Sequence, residues 1–352
     1  MGCPSSAMAN IPNAAPSTDD DDVTQQSVYS STTNLDVIPN VNRRVNLDNT
    51  VEAVYSNISQ TASDRPPLSP KQTSDSSLAV FENKWPVAAL IIPFSIAGLL
   101  IRIGLQRLET YPGAPIFGLL YAQWVGCVIM GFVAEIKPSL SAVYLPLVGG
   151  ISSGLCGSIT TFSSWQLGIF KAFANYDGDP HSTGKNVLAA ISQLLVTLAM
   201  SLNGVVFGYH IGKLYKAWIL QGRSPAKLRI VPAGFSLQSL ARLDFGIIAF
   251  GILCWLGVIF ASVFAQGQRE LAFACVFAPI GALLRWQLSF LNLWRGGVFP
   301  IGTFAANIIA SIVLAVISLL QSGVPMSLMS CYVLTGLADG FCGTLSVGLM
   351  KI

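Results

Sequence analysis

Side chains that can bind a small anion are concentrated in one short segment of the chain, Gly154–Trp165, which reads GLCGSITTFSSW. Thr160 and Ser163 supply hydroxyl donors within this segment. Phe162 lies between them, and the edge of an aromatic ring carries partial positive charge that an anion can approach once it has lost part of its water shell. The segment therefore predicts an anion-binding site made of hydroxyl groups and a ring edge.

Three polar residues elsewhere in apolar surroundings suit the same chemistry. Thr197 and Ser201 are four residues apart, about one turn of a helix, so their hydroxyls share one side. The amide of Asn307 can donate hydrogen bonds as well. Together these groups can replace part of the water shell of an anion. Asp339 lies near the start of the last apolar segment, and no carboxylate is placed for proton coupling, which favours a passive path over an antiporter.

The composition predicts the surroundings of these residues. The chain has 352 residues, 52% of them hydrophobic and 11% charged, with a mean hydropathy of +0.60, whereas soluble domains contain about 25% charged residues. Residues 1–84 hold 10 of the 17 acidic residues and few large apolar ones, so we expect a disordered tail. The remainder is an all-α integral membrane protein, which excludes a secreted disulfide scaffold, a nucleic-acid binder and a soluble metalloenzyme.

Eight apolar segments are long enough to cross a bilayer, which takes about 20 residues. Glycines interrupt the third segment, at Gly149-Gly150 and at Gly154 and Gly157, so we expect a helix that is broken in its middle. The predicted spans are 85–108, 115–134, 138–170, 186–212, 245–265, 271–291, 296–321 and a last one from Cys331 onward.

Basic residues predict the orientation in the membrane, because cytoplasmic loops carry an excess of Lys and Arg. The predicted loop 213–243 has six basic residues and no acidic one: Lys213, Lys216, Arg223, Lys227, Arg229 and Arg242. We expect this loop in the cytosol. Four spans precede it, so the N-terminal tail is predicted to be cytosolic as well.

The two halves of the membrane region resemble each other in three blocks that keep one order. The matched blocks are Phe94–Arg102 with Phe277–Arg285, Gly118–Gln123 with Gly302–Asn307, and Gly150–Ser158 with Gly336–Thr344. Each copy begins a four-span repeat, and one extra span separates the copies, so the second copy is inverted. Inverted repeats with interrupted helices are an architecture of membrane transport proteins.

These blocks resemble the Fluc/CrcB family of fluoride channels. Gly154–Trp165 looks like that family's broken-helix motif, Gly281–Arg285 like its first helix, Phe299–Asn307 like its second and Gln193–Ser201 like its fourth. Together the motifs cover nearly all of residues 85–352. Two copies fused through a linker helix are similar to the eukaryotic fluoride exporters, which implies a passive fluoride channel rather than an enzyme. The resemblance also implies a plasma-membrane protein that works as a single fused chain.

The resemblance implies roles for individual residues. Backbone carbonyls at the two helix breaks are expected to hold a structural sodium ion, and these belong to Gly157, Thr160, Gly343 and Ser346. Phe162 matches the first pore phenylalanine, whereas Trp165 stands at the second position. The remaining pore positions are expected to be Asn307, Gln123 in the equivalent place of the first copy, Thr161, Ser163, Thr197 and Ser201. Arg102 and Arg285 match the first-helix arginine.

The predicted organisation has five parts and leaves some alternatives open. The parts are a tail over 1–84, a first repeat over 85–212, a basic loop over 213–243, a linker helix over 244–266 and a second repeat over 267–352. The family pattern does not continue after Ser346, so we expect the second repeat to be truncated within its third helix. A coupled transporter of another small solute and a non-conducting truncated form are the alternative functions. Arg102 and Arg285 can equally extend toward the membrane surface, and Gly204, Gly208 and Gly212 are expected to serve helix packing.

Overall fold

The computed structural model describes residues 84–111, 116–176, 182–222, 237–264, 267–292 and 299–348. The tail that was predicted to be disordered lies outside these ranges up to residue 83. Residues 223–236, the middle of the predicted basic loop, also lie outside them. The described residues belong to one compact unit.

Eight helices within the described residues are long and apolar enough to cross a membrane, which confirms the predicted all-α membrane fold. Two of them, α3 and α8, are not regular throughout. The helices are α1 (Lys84–Glu109), α2 (Leu120–Val143), α3 (Leu145–Ala174), α4 (Thr183–Gly222), α5 (Leu237–Phe264), α6 (Arg269–Ser289), α7 (Ile301–Gly323) and α8 (Leu328–Leu345).

The predicted loop 213–243 was too long at both ends. Helix α4 continues to Gly222, and α5 already begins at Leu237. The basic residues of α4 are compatible with a continuing helix, because lysine is a good helix former, and their charges contact neighbouring side chains. Lys216 forms an ion pair with Glu135 of α2 at 2.9 Å, and the ammonium of Lys213 lies 4.6 Å from the ring centre of Tyr209.

Helices α2 and α4 pack extensively against each other, and glycines allow their close approach. A Cβ atom at Gly208 would overlap with the carbonyl of Val128, and one at Gly204 would meet the backbone of Trp124. The expected packing role of these glycines is therefore confirmed. Close backbone contact of this kind is a common way for membrane helices to associate.

Helices α1 and α6 contact each other and pack against most of the other helices. Helix α1 packs along the first part of α3, and α6 packs in the same way along α8. Helix α5 contacts both α1 and α6, and the second part of α3 packs against α4 and α7. Gly98 of α1 lies against the backbone of Leu155, and Gly281 of α6 lies in the same way against Phe341. The residues that match in the sequence thus make matching contacts.

Candidate functional site: two helix breaks joined across the two halves

Helix α3 is interrupted just after the glycines that marked it in the sequence. Its turns over Gly150–Cys156 are π-helical and are followed by a short turn, Gly157–Ile159. Thr160 is extended, with φ −83° and ψ 140°, and the helix resumes over Ser163–Ala174. The break predicted in the middle of the third span therefore lies at Thr160–Phe162, after the glycines rather than at them.

Helix α8 repeats this geometry. Its π-helical turns span Leu337–Cys342, a short turn follows over Gly343–Leu345, and Ser346 is extended with φ −84° and ψ 150°. A π-helical turn widens the ladder of backbone hydrogen bonds and is often found at functional sites. Ser346 therefore corresponds in backbone conformation to Thr160 of α3.

An amide side chain from a neighbouring helix holds the backbone at each break. In α3, the N–H of Thr161 donates to Oε1 of Gln123 at 2.9 Å, and Nε2 of Gln123 donates back to the carbonyl of Thr161 at 3.1 Å. In α8, Val347 and Asn307 exchange the same two hydrogen bonds at 2.9 and 3.0 Å. The two amides, predicted as pore residues, thus satisfy backbone groups that a helix break would leave unpaired.

The hydroxyl of Ser346 connects the two breaks. Its Oγ accepts from the backbone N–H groups of Phe162 at 3.2 Å and Ser163 at 3.1 Å, where the second part of α3 begins. The hydroxyls of Thr161 and Ser163 lie 3.0 and 2.9 Å from the same oxygen. A serine of α8 therefore caps the second part of α3, which has no side-chain cap of its own. The result is a buried cluster of hydroxyl and N–H donors.

Arg102 and Arg285 do not extend to the membrane surface, so that alternative is wrong. The two residues are only 1% and 6% exposed, and each reaches a helix of the other half. Nη1 of Arg285 donates to the carbonyl of Gly157 at 2.6 Å, and Nη2 donates to the carbonyl of Ser153. Arg102 donates to the carbonyl of Asp339 in α8.

A glycine lies against each of these guanidinium groups. A Cβ atom at Gly157 would overlap with the guanidinium of Arg285, and one at Gly343 would overlap with that of Arg102. The first half thus contacts the second through Arg102, and the second contacts the first through Arg285. Such reciprocity is typical of two units related by a two-fold axis.

Two of the four carbonyls expected to hold sodium, those of Gly157 and Ser346, lie beside Arg285. Nη1 of Arg285 is 2.6 Å from the carbonyl oxygen of Gly157 and 3.5 Å from that of Ser346, and it also donates to the carbonyl of Thr344. Such a group of oxygens suits a cation, but the guanidinium already supplies the positive charge. A second cation at the same point would be repelled. The described residues therefore do not fit a sodium ion beside Arg285.

Phe162 and Trp165 form an aromatic pair where α3 resumes. Their ring centres are 5.7 Å apart and their planes meet at 71°, an edge-to-face arrangement. The indole Nε1 of Trp165 is buried and has no hydrogen-bond partner among the described residues. An unpaired buried N–H group is costly, so this donor is available for a bound hydrogen-bond acceptor.

Thr197 and Ser201 lie on α4, apart from the hydroxyl cluster of the breaks. Thr197 is buried and donates to the carbonyl of Gln193 at 2.7 Å. The hydroxyl of Ser201 contacts the thiol of Cys127 on α2. Among the described residues no hydrogen bond joins either side chain to the break in α3, so their predicted place in an anion path stays a prediction.

The sequence reasoning named Asp339 but gave it no contact at this site. Asp339 lies on the π-helical part of α8, where its carbonyl accepts from Arg102. The match between the two halves contains the clue, because it aligns the block Gly150–Ser158 with the block that holds Asp339. Ser153 stands at the corresponding position and makes the corresponding contact with Arg285.

Eight apolar helices that make matching contacts in two halves of similar sequence are typical of membrane transport proteins built from repeats. The family described as "CrcB-like protein, Camphor Resistance (CrcB)" matches residues 89–209 and 272–347. These two stretches cover more than half of the chain, and the protein belongs to this family. The matched stretches contain most of α1–α4 and of α6–α8, and α5 lies between them.

Relatives of known name agree with this membership. "Fluoride export protein 1" of Candida albicans is 31% identical over 296 residues, which cover 78% of this chain and 74% of the relative. "Fluoride export protein 1" of Schizosaccharomyces pombe is 35% identical over 56% of this chain and 64% of its own length. "Fluoride-specific ion channel FluC 2" of Synechococcus sp. is 30% identical over 97 residues. No solved structure matches the chain significantly.

Proposed function

We propose that this protein is a passive fluoride channel that lets cytosolic fluoride leave the cell and so gives fluoride resistance. The observation that carries the proposal is similarity over 78% of the chain to a protein named for fluoride export. The structure supports it with a buried cluster of N–H and hydroxyl donors around Ser346. Fluoride is small and strongly hydrated, so it crosses a membrane only where such donors replace its water.

The proposed anion path runs along the break in α3. Phe162 and Trp165 pack edge to face there, and the indole N–H of Trp165 has no partner among the described residues. Thr161 and Ser163 supply hydroxyls on the side toward α8. Gln123 and Asn307 contribute by fixing the backbone of the two breaks, while Thr197 and Ser201 are proposed to continue the path along α4.

The driving force in this proposal is the membrane potential. Fluoride enters as neutral HF from acidic surroundings and ionises inside, and a negative interior then favours exit of the anion by about 2.3 kcal/mol per 100 mV. We propose a plasma-membrane protein with a cytosolic N-terminus that works as a single fused chain. In this proposal fluoride moves by passive conduction, and the chain is not an enzyme. No step of this proposal depends on a sodium ion, and Arg285 already donates to the carbonyl of Gly157, one of the four expected to bind that ion.

Fluoride release from liposomes tests the proposal. The full chain is reconstituted into vesicles loaded with potassium fluoride, and valinomycin is added to carry the balancing charge while a fluoride electrode records release. We expect release that depends on valinomycin and is absent from protein-free vesicles. Vesicles loaded with potassium chloride and followed with a chloride electrode serve as the selectivity control. Release that requires a pH gradient instead of valinomycin would indicate a coupled transporter and contradict the proposal.

A further inference from the structure

A narrow crevice lies between α2 and the first part of α3. Its volume is about 120 Å³, well below the roughly 300–1,000 Å³ of pockets that enclose an organic ligand. The crevice therefore suits water and small ions. Four of its lining residues are apolar, and one of them is charged: the residues are Met130, Val133, Ala134, Lys137, Val148 and Ser152.

The crevice follows one face of α2 that leads from the break in α3 to the end of α2. Gly126 lies on that face, because a Cβ atom there would overlap with the side chain of Thr160. Met130 and Lys137 follow Gly126 by four and eleven residues, about one and three helical turns, so the three share one side of the helix. Lys137 lies about 16 Å from Gly126 along the helix axis. The end of α2 faces the cytosol in the proposed orientation, so the crevice lies between the cytosol and the break.

The ammonium group of Lys137 is free to attract an anion. Lys137 is exposed, and its ammonium forms no ion pair or hydrogen bond with the described residues. The carboxylates at this end of the helices are engaged. Glu135 pairs with Lys216 at 2.9 Å, and Asp244 accepts from the hydroxyl of Tyr144 at 2.5 Å. Apolar walls concentrate the field of a charge in a cleft, which raises the local concentration of oppositely charged ions.

The second half has a neutral residue at the equivalent position. Asn307 follows Gln123 by 184 residues, and Gln321 of α7 follows Lys137 by the same number. Nε2 of Gln321 donates to the hydroxyl of Thr335 in α8 at 3.0 Å. A glutamine at this position thus bonds to the neighbouring helix, whereas the lysine of the first half does not. Helix packing alone therefore does not explain the charge of Lys137.

We propose that Lys137 and the crevice form an anion-binding site at the cytosolic entrance of the path along α3. A fluoride ion that still carries its water is attracted by the ammonium group and collects in the crevice before it reaches the break. The site raises the concentration of the anion at the entrance and so increases the rate of release. This inference rests on the proposed fluoride channel function.

Charge substitutions test the inference in the liposome assay at low ionic strength. Lys137→Gln introduces the residue of the second half, and we expect initial fluoride release to fall by about tenfold. Lys137→Arg keeps the charge and should release fluoride at the unmodified rate. Lys185→Gln is the control, because it removes an exposed lysine at the start of α4. An equal fall in Lys185→Gln, or no fall in Lys137→Gln, would overturn the inference.

Salt distinguishes attraction by charge from a structural role of Lys137. Added impermeant salt screens exposed charges, so the unmodified chain and Lys137→Gln should approach the same rate as ionic strength rises. A difference that persists at high salt would show that the lysine acts on the fold and would overturn the inference.

Lys137→Cys allows either sign of charge to be placed on one folded protein. A methanethiosulfonate reagent with a trimethylammonium group should raise fluoride release, and one with a sulfonate group should lower it. The unmodified chain treated in the same way is the control for native thiols, and mass spectrometry identifies the modified residue. A thiol at position 137 that does not react, or rates that ignore the sign of the charge, would overturn the inference alone. If the unmodified chain releases no fluoride, the proposed function fails as well.

Discussion

The guanidinium of Arg285 lies against the Cα atom of Gly157 so closely that only a hydrogen atom fits between them. The same guanidinium donates to the carbonyl of Gly157 at 2.6 Å. Any other residue at position 157 would push the arginine off the carbonyls that satisfy it. The contact therefore couples a residue without a side chain to a charge from the other half of the chain.

Gly157→Ala should destabilise the fold for this reason. Overpacking a tight site typically costs about 1–3 kcal/mol, and displaced guanidinium hydrogen bonds add to that cost. Thermal unfolding in detergent, followed by tryptophan fluorescence, measures the change. Gly104→Ala is the matched control, since its Cβ atom would meet nothing within 4 Å. Equal unfolding temperatures for the two variants would contradict the contact described here.

The amides of Gln123 and Asn307 should both be needed for a stable fold and for fluoride release. Replacing either with Leu leaves one N–H and one carbonyl of a break unpaired, which costs about 1–3 kcal/mol for each group. Both variants should unfold earlier in the same assay and release less fluoride. Asn203→Leu removes a single, exposed hydrogen bond to Trp124 and serves as the control. The prediction is wrong if one of the two amides proves dispensable.

Trp165→Phe tests whether the indole N–H contacts the anion. The ring is kept and the donor is removed, so folding should be preserved while fluoride release falls several-fold. Initial rates of release over a range of fluoride concentrations measure the effect. Trp85→Phe is the control, because Trp85 is 77% exposed. Unchanged rates in Trp165→Phe would remove the indole from the proposed path.

Fluoride release should not require sodium. Arg285 supplies the positive charge at the carbonyls of Gly157 and Thr344, so protein purified and reconstituted in potassium salts alone should conduct as it does in sodium salts. Parallel preparations, with sodium checked by flame photometry, provide the comparison. Release or stability that returns only when sodium is added would show that the ion competes with the guanidinium.

The orientation predicted from basic residues can be tested with epitope tags. A tag within residues 1–84 and another within 223–236 should lie on the same, cytosolic side, because four helices, α1–α4, separate the two positions. Protease protection in intact and permeabilised cells distinguishes the sides. Tags on opposite sides would contradict the inverted arrangement of the two repeats.

Hydropathy predicted the helices well, but it could not predict their contacts. The break in α3 followed from glycines and hydroxyl residues, and its shift to Thr160–Phe162 reflects a π-helical turn that no spacing rule indicates. Gln123 and Asn307 were matched correctly, yet their hydrogen bonds to the backbone depend on how α2 and α7 pack. The sequence could not predict the burial of Arg285 either. Its hydrogen-bond acceptors are backbone carbonyls, which every residue carries, so they leave no signal in the sequence.

The crossed arginine contacts impose an order on biosynthesis. The carbonyl of Gly157 accepts a hydrogen bond from Arg285, which is 128 residues further along the chain and is therefore synthesised later. At a translation rate of about 5–20 residues per second, the first half spends roughly 6–26 s in or near the bilayer before that partner is made. During this interval the guanidinium of Arg285 does not yet exist, so it cannot donate a hydrogen bond to the carbonyl of Gly157. We expect the insertion machinery to shelter α3 until α6 arrives, so that the two halves are completed together.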